Sequence, residues 1–146
     1  MLIRLLPEQA SAHWDDIKTA VKESLPPTVG EQSDKMNNIL NGLLTERMIA
    51  WISVEQRGED NIITGIVLTT FTQDECSGTK ALLIYCVYGY NNATRVSWES
   101  GIETLRKFAE SSGCHRILAY SDVESIIKFV EGIGGETKYR LLSFPL

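Results

Sequence analysis

The stretch with the strongest claim to chemistry covers residues 81–120. It opens with the apolar run Ala81-Leu-Leu-Ile-Tyr-Cys-Val-Tyr-Gly-Tyr90, passes through an amphipathic segment, and closes with Gly113-Cys114 and Arg116-Ile-Leu-Ala-Tyr120. A strand that feeds a helix through a short loop points backbone N–H groups and the positive helix end outward, an arrangement that suits phosphate. Within it, Cys114-His115 invites a thiol nucleophile activated by imidazole. Neighbours on a strand point to opposite faces, however, so the two cannot form a nucleophile and base pair, and a partly buried thiol is expected for Cys114. With Cys76 and Cys86 it makes an odd total of three cysteines at unrelated spacings, which fits neither a disulfide framework nor a metal knuckle. Reduced thiols and no metal are expected.

The 146 residues are most simply one domain, 1–146, long enough to bury a core without crosslinks. A chain that is 43% hydrophobic and 23% charged has the composition of a globular protein. Its apolar runs fall short of the roughly 18 residues a membrane helix needs. The Met1-Leu-Ile-Arg4 start lacks a signal-peptide pattern, so a cytoplasmic location without a membrane partner is expected. The net charge of -5, with scattered Lys and Arg, argues against a nucleic-acid partner.

The elements that must position the central stretch are legible from spacing. Leu2, Ile3, Leu5 and Leu6 form a short strand before Pro7. Trp14, Ile17, Ala20, Val21 and Leu25 recur at three- and four-residue steps, predicting a helix over 12–24 that Ser11 caps and Pro26-Pro27 ends. Residues 26–32 form a loop. Ser33 is expected to cap a second helix over 34–47, with Met36, Ile39, Leu40, Leu43 and Leu44 as one stripe. From Met48 the period becomes that of a strand; Arg57-Gly-Glu-Asp-Asn61 is a hairpin turn and 62–72 returns antiparallel. A polar connection, 73–79, leads to a strand over 80–88. Trp98, Ile102, Leu105 and Ala109 mark a helix from about 97 to 112 that Gly113 ends. A last helix from Asp122 carries Val123, Ile126, Ile127, Val130 and Ile133; Gly134-Gly135 closes it, and 138–144 is expected as a strand. The order β-α-α-β-β-β-α-β-α-β predicts a mixed α/β (α+β) domain in three layers.

This order, a meander followed by a crossover unit, resembles the GNAT N-acetyltransferase superfamily over nearly the whole chain. Glu110-Ser-Ser-Gly-Cys-His-Arg-Ile117 is similar to the family's helix exit into its fifth strand. Lys128-Phe-Val-Glu-Gly-Ile-Gly-Gly135 is similar to its Leu-Tyr-Glu-Lys-Leu-Gly-Phe segment. His13-Trp14 with Ser24-Leu-Pro-Pro27, and Ser77-Gly-Thr79 with Leu83-Ile-Tyr85 and Tyr88-Gly-Tyr90, resemble small GNAT-like proteins of tailed bacteriophages. The resemblance implies a GNAT-like three-layer α/β/α fold with a mixed central sheet. It also implies that acetyl-CoA, in a working enzyme, lies against Val87, Tyr88 and Gly89 and against Arg95, Val96, Ser97 and Trp98.

The family's loop reads Arg/Gln-x-x-Gly-x-Gly/Ala, because the diphosphate must approach bare backbone at a helix start. Here the loop is Asn91-Asn-Ala-Thr-Arg-Val-Ser-Trp98, which sets Val96 and Trp98 at the two small positions and Ala93 at the basic one. The family's proton-donating tyrosine falls on Phe129, with Tyr120 and Tyr139 as substitutes. For a general base Glu55, Asp74 and Glu75 are the carboxylates available, each at a strand end or turn where solvation is the ordinary role, and His13 is expected exposed. A catalytic set would be Glu75, Tyr120 and Tyr139. These departures favour a degenerate acetyl-CoA site, no cofactor, and a non-catalytic role in binding proteins, either itself or phage virion and assembly components. Exposed aromatics at the sheet end, among Trp51, Tyr88 or Tyr90, would be the anchors, although for each one taken singly a core position is the more ordinary role. The alternative is an acetyl-CoA-dependent N-acetyltransferase acting on a primary amine, with the pantetheine arm added as a strand between 81–88 and 116–120. A third reading is a small-molecule or peptide binder without chemistry.

Overall fold

Residues 1–90 and 93–146 are described by the structure, a computed structural model. Four β-rich segments in succession, β1 (Leu2–Arg4), β2 (Met48–Arg57), β3 (Asp60–Gln73) and β4 (Lys80–Gly89), pair antiparallel. The fifth, β5 (Cys114–Ala119), lies parallel to β4, and the sheet order is β1-β2-β3-β4-β5. A parallel neighbour requires a crossover, which α4 (Arg95–Ser111) supplies. The helices α1 (Pro7–Ala12), α2 (Trp14–Glu23) and α3 (Lys35–Leu44) cover one face of the sheet and α4 the other. The last helix, α5 (Glu124–Gly132), follows β5. The mixed α/β sheet between helical layers is the expected architecture.

Each layer has its own core. Ile17 and Val21 of α2 and Ile39 and Leu43 of α3 close on Ala50, Ile66, Leu68 and Cys86. On the other face Leu105 and Ala109 of α4 close on Ile49, Trp51, Leu82 and Ile84. Trp51 is only 3% exposed, its Nε1 donates to Thr69 Oγ1 at 2.9 Å, and its ring meets Phe108 edge-on at 5.0 Å. It is a core residue, the more ordinary of the two roles expected for it, and cannot anchor a partner.

Three local differences have physical reasons. The helix expected over 12–24 is α2, and a short helix that was not expected, α1, precedes it: Pro7 opens α1, where its missing N–H costs nothing, and the chain breaks at His13 before α2 begins. Ser11 is therefore inside α1 and caps nothing. At α3, Asp34 is the N-cap without a side-chain bond, and Ser33 bonds Gln32 instead. Residues 138–144 form no strand: a strand needs a neighbour for its backbone groups, and in this chain the segment has none.

Among the described residues no helix is long and apolar enough to cross a membrane, and no group of three or more His, Cys, Asp or Glu side chains gathers at a metal-binding distance.

Candidate functional site

β4 and β5 separate part-way along. Their pairing runs from Lys80 and Cys114 to Ile84 and Ala119, while β4 continues to Gly89. The parting coincides with a bulge against β3: Leu68 opposes Cys86 and Thr69 opposes Ile84, which leaves Tyr85 as an extra residue. Side-chain directions confirm it, since Leu82, Ile84 and Val87 face α4, whereas Cys86 and Tyr88 face α2 and α3. A bulge adds twist and ends pairing. Beyond Ile84 the β5 side of β4 is thus an edge onto which an extended, amide-bearing arm can add as a strand would.

At the end of that edge stands the start of α4. Thr94 Oγ1 accepts from the Ser97 backbone N–H at 3.2 Å, the usual way an N-cap satisfies an orphan donor. The same hydroxyl donates to Glu55 Oε1 at 2.9 Å, and Arg57 Nη2 donates to Glu55 Oε2 at 3.0 Å. Arg57 first, then Thr94, holds the Glu55 carboxyl below its ordinary value. A carboxylate of the chain itself therefore sits where the helix end favours an anion. Ser97 turns inward: its Oγ lies 3.1 Å from Ser53 Oγ and 3.3 Å from Thr64 Oγ1, and Thr64 Oγ1 donates to Ser53 Oγ at 2.9 Å. The three buried hydroxyls tie α4 to β2 and β3.

Trp98 bridges the mouth. A Cβ on Gly89 would stand 3.0 Å from its Cζ2, and its ring lies 6.5 Å from that of Phe129 on α5, inclined at 62°. Beneath it a cavity of about 60 Å³ runs between α4 and the sheet, lined by Val87, Gly89, Ser97, Gly101 and Ile102 among others. That volume is far below the several hundred Å³ of a typical ligand pocket. Val96, at the other small position of the loop, is 74% exposed and points away; Arg95 pairs with Glu99 at 3.0 Å. Asn91 and Asn92 of the loop lie outside the described residues.

The candidate acid and base residues are scattered. Tyr120 stands one residue past the last β4–β5 pair, 48% exposed, at the opening itself. Tyr139 is 69% exposed in the C-terminal segment, with Lys138 Nζ 5.2 Å from its ring centre. Glu75 and Asp74 lie in the β3–β4 connection, before Lys80, at the far end of β4 from Gly89. Tyr120 follows the Ala119–Ile84 pair, about five strand residues or roughly 17 Å along β4 from Lys80, and Glu75 lies beyond Lys80 in the other direction, so the two do not share a site. Asp74 is engaged with the N–H and hydroxyl of Ser77 at 2.7 and 2.8 Å, which lower its pKa. His13 is exposed at the break between α1 and α2, and His115 Nδ1 sits 2.9 Å from the Lys80 carbonyl, apart from any role with Cys114. Burial pushes the Cys86 thiol up to about 11.

Two contributors escaped the sequence reading. Tyr85, the bulged residue at the parting, is half-buried, and burial raises its phenol. Only the doubled step from Ile84 to Val87 in the apolar pattern hinted at the bulge. Thr94 was visible as a residue able to cap a helix beginning at Arg95, two residues before the expected start. Tyr88 and Tyr90 are half-buried, edge to face at 5.1 Å, on the α2 side.

Solved structures that share this arrangement include several acetyltransferases. A probable acetyltransferase superposes with a TM-score of 0.71 at 11% identity, over 100% of this chain and 97% of that one. The chain has the GNAT acetyltransferase fold. AAC(6')-Iy, bound to a CoA-containing bisubstrate analogue, matches with a TM-score of 0.72 at 14% identity, over 100% and 97% of the two chains. A ribosomal-protein-alanine N-acetyltransferase from Brucella melitensis biovar Abortus 2308 gives 0.66 at 12% identity, over 100% and 99%. No protein-family model matches the chain, and no curated protein matches it in sequence.

Proposed function

We propose that this protein is an N-acetyltransferase that takes its acyl group from acetyl-CoA and delivers it to a primary amine. The observation that carries the reading is the open edge of β4 beyond Ile84, set beside the start of α4. Backbone groups of residues 85–89 would hold the amide-bearing pantetheine arm, which demands no particular side chain. When bound, acetyl-CoA would supply an activated acetyl thioester. Tyr120 and Tyr85 flank the parting of the strands, where a phenol Oη–H would serve as the general acid. The named neighbours support the assignment by their chemistry: AAC(6')-Iy is an aminoglycoside N-acetyltransferase solved with CoA. In this chain the diphosphate end fits only if the Trp98 indole leaves Gly89 and the cofactor competes with Glu55 for the helix start.

Calorimetric titration with acetyl-CoA tests the reading. A micromolar Kd, worth about 8 kcal/mol, sustains it. No heat at about 1 mM ligand, where even a binding energy of roughly 4 kcal/mol registers, overturns it.

A second reading is favoured by Trp98 and Glu55 themselves. In it the cradle is permanently filled by the chain's own side chains, no cofactor is used, and the protein acts in the cytoplasm or in a phage particle by binding other proteins. It predicts a flat acetyl-CoA titration together with retention in an assembled particle; a monomer that binds neither cofactor nor particle proteins would sink it.

A further inference from the structure

At the other end of β4 from Gly89, where β4 and β5 begin, a cleft of about 430 Å³ lies between the β3–β4 connection and β5. It is several times larger than the cavity beneath Trp98 and falls within the few hundred Å³ that a small-molecule site occupies. The β4–β5 ladder is irregular there. Cys114 pairs with Lys80 and Arg116 with Ala81, so His115 is a surplus residue without a partner on β4. Regular neighbours on a strand face opposite ways, but such an irregularity re-aims them, and His115 and Arg116 both line the cleft. The His115 ring is fixed: its Nδ1 lies 2.9 Å from the Lys80 carbonyl, which can only accept, so Nδ1 carries the proton and Nε2 is left to accept from another group. The Arg116 side chain is exposed and makes no hydrogen bond or ion pair with the described residues.

The connection contributes Asp74, on a turn that holds itself in shape. The Asp74 N–H donates to the Thr79 carbonyl at 2.9 Å and the Gly78 N–H to the Asp74 carbonyl at 2.8 Å. Asp74 Oδ1 accepts from the N–H and the hydroxyl of Ser77, whose Oγ lies 2.7 Å from Thr79 Oγ1. One cleft is therefore lined by a carboxylate and a guanidinium that, among the described residues, do not pair with each other. Ala81 and Leu118 add apolar wall beside them.

We propose that this cleft binds a free apolar α-amino acid, its carboxylate on the Arg116 guanidinium, its ammonium on Asp74 with His115 Nε2 as a second acceptor, and its side chain against Ala81 and Leu118. The chemistry selects this class of ligand. A guanidinium presents a planar fork that a carboxylate meets with two parallel bonds. An ammonium has three donors and no acceptor, so it needs a carboxylate or a lone pair of the kind Nε2 keeps. A simple anion would set its charge beside Asp74, and a simple amine would set its charge beside Arg116; like charges brought together in this way disfavour binding. A ligand that carries both signs on adjacent groups pairs the two side chains at once. The cleft is separate from the parting of β4 and β5, and the inference does not depend on whether acetyl-CoA binds.

Calorimetry on the full chain tests the proposal, with alanine, valine, leucine and phenylalanine as probes, each also as its amide and as its deaminated acid, and with inorganic phosphate. At least one of the free amino acids should bind with a Kd below about 1 mM, and its amide and deaminated acid at least about tenfold more weakly, since each lacks one of the two charges. Arg116→Gln and Asp74→Asn should each weaken that amino acid by a similar factor. The first site is exposed, and the second substitution keeps an oxygen to accept from Ser77, so both variants should fold as the wild type does by circular dichroism. No heat from any of the four at about 10 mM overturns the proposal. Phosphate or a deaminated acid that binds as tightly as the amino acid overturns it too, because that would mark an anion site. So does an affinity that either substitution leaves unchanged.

Discussion

The Trp98 indole lies so close over Gly89 that a Cβ at position 89 would stand 3.0 Å from its Cζ2. One side chain thereby joins the first turn of α4 to the end of β4 and closes the gap that the parting of β4 and β5 opens. Trp98→Ala should tighten acetyl-CoA binding about tenfold, or 1.4 kcal/mol, while costing roughly 1–2 kcal/mol of stability, less than a fully buried tryptophan costs because this one is half-exposed. Calorimetry and urea unfolding measure the two effects. Weaker binding would make the indole part of the site and not its cover.

On the proposed acetyltransferase reading, Tyr120 would matter for turnover and Glu75 would not. With an amine substrate, Tyr120→Phe should lower kcat about 100-fold with KM little changed, since the missing proton acts in the chemical step. Glu75→Gln, in the β3–β4 connection before Lys80, should leave both constants as they were.

Thr94 serves both the helix and the carboxylate. Thr94→Ala should cost about 1 kcal/mol as a lost N-cap. It should also let the Glu55 pKa rise toward its ordinary value. Because that pKa is depressed in the folded protein, its contribution is present above the unfolded pKa and fades as pH falls through the folded one. The stability gap between wild type and Thr94→Ala should therefore narrow in acid, which urea melts at pH 3 and 6 would show.

Thr69→Val keeps the shape of the core but leaves the Trp51 Nε1–H without its acceptor. An orphaned buried donor costs about 1–3 kcal/mol, and the loss should appear in full in equilibrium unfolding.

Cys86 makes the fold sensitive to alkali. Its thiol pKa is raised to about 11 by burial, so the folded state holds the proton longer than the unfolded chain does. Stability from this group is complete below the ordinary thiol value of 9.0 and is lost as pH climbs toward 11. The wild-type protein should lose about 2 kcal/mol across that range through Cys86 alone. Cys86→Ala should start lower and fall less steeply.

What could be read from the chain depended on whether an interaction is local. The stripe of Met36, Ile39 and Leu43 predicted α3, and the β-branched run after Asn61 predicted β3, because each pattern is set by neighbours a few residues away. The order of elements led to the three-layer sheet for the same reason. The places that went differently depend on distant partners. For Trp51 the sequence leaves both a core and an anchor role open, because its burial is decided by Phe108 and Thr69, far along the chain. Residues 138–144 had the alternation of a strand, but alternation says nothing about whether a neighbouring edge is within reach. Within the site, the position of Trp98 at the mouth followed from counting back along α4, whereas the Glu55 to Thr94 bond, spanning 39 residues, had no signature in sequence.

The surplus residue at Tyr85 has a consequence for how this architecture is encoded. Deleting Tyr85 would leave every later side chain on the face it now serves, because Ile84, Cys86, Val87 and Tyr88 would then alternate regularly. What would change is the backbone: without the added twist, β4 could run on beside β5 and seal its own edge. The difference between an open and a shut sheet is thus one unit of length, a matter of counting and not of composition, and substitutions that preserve the count leave the doorway where it is.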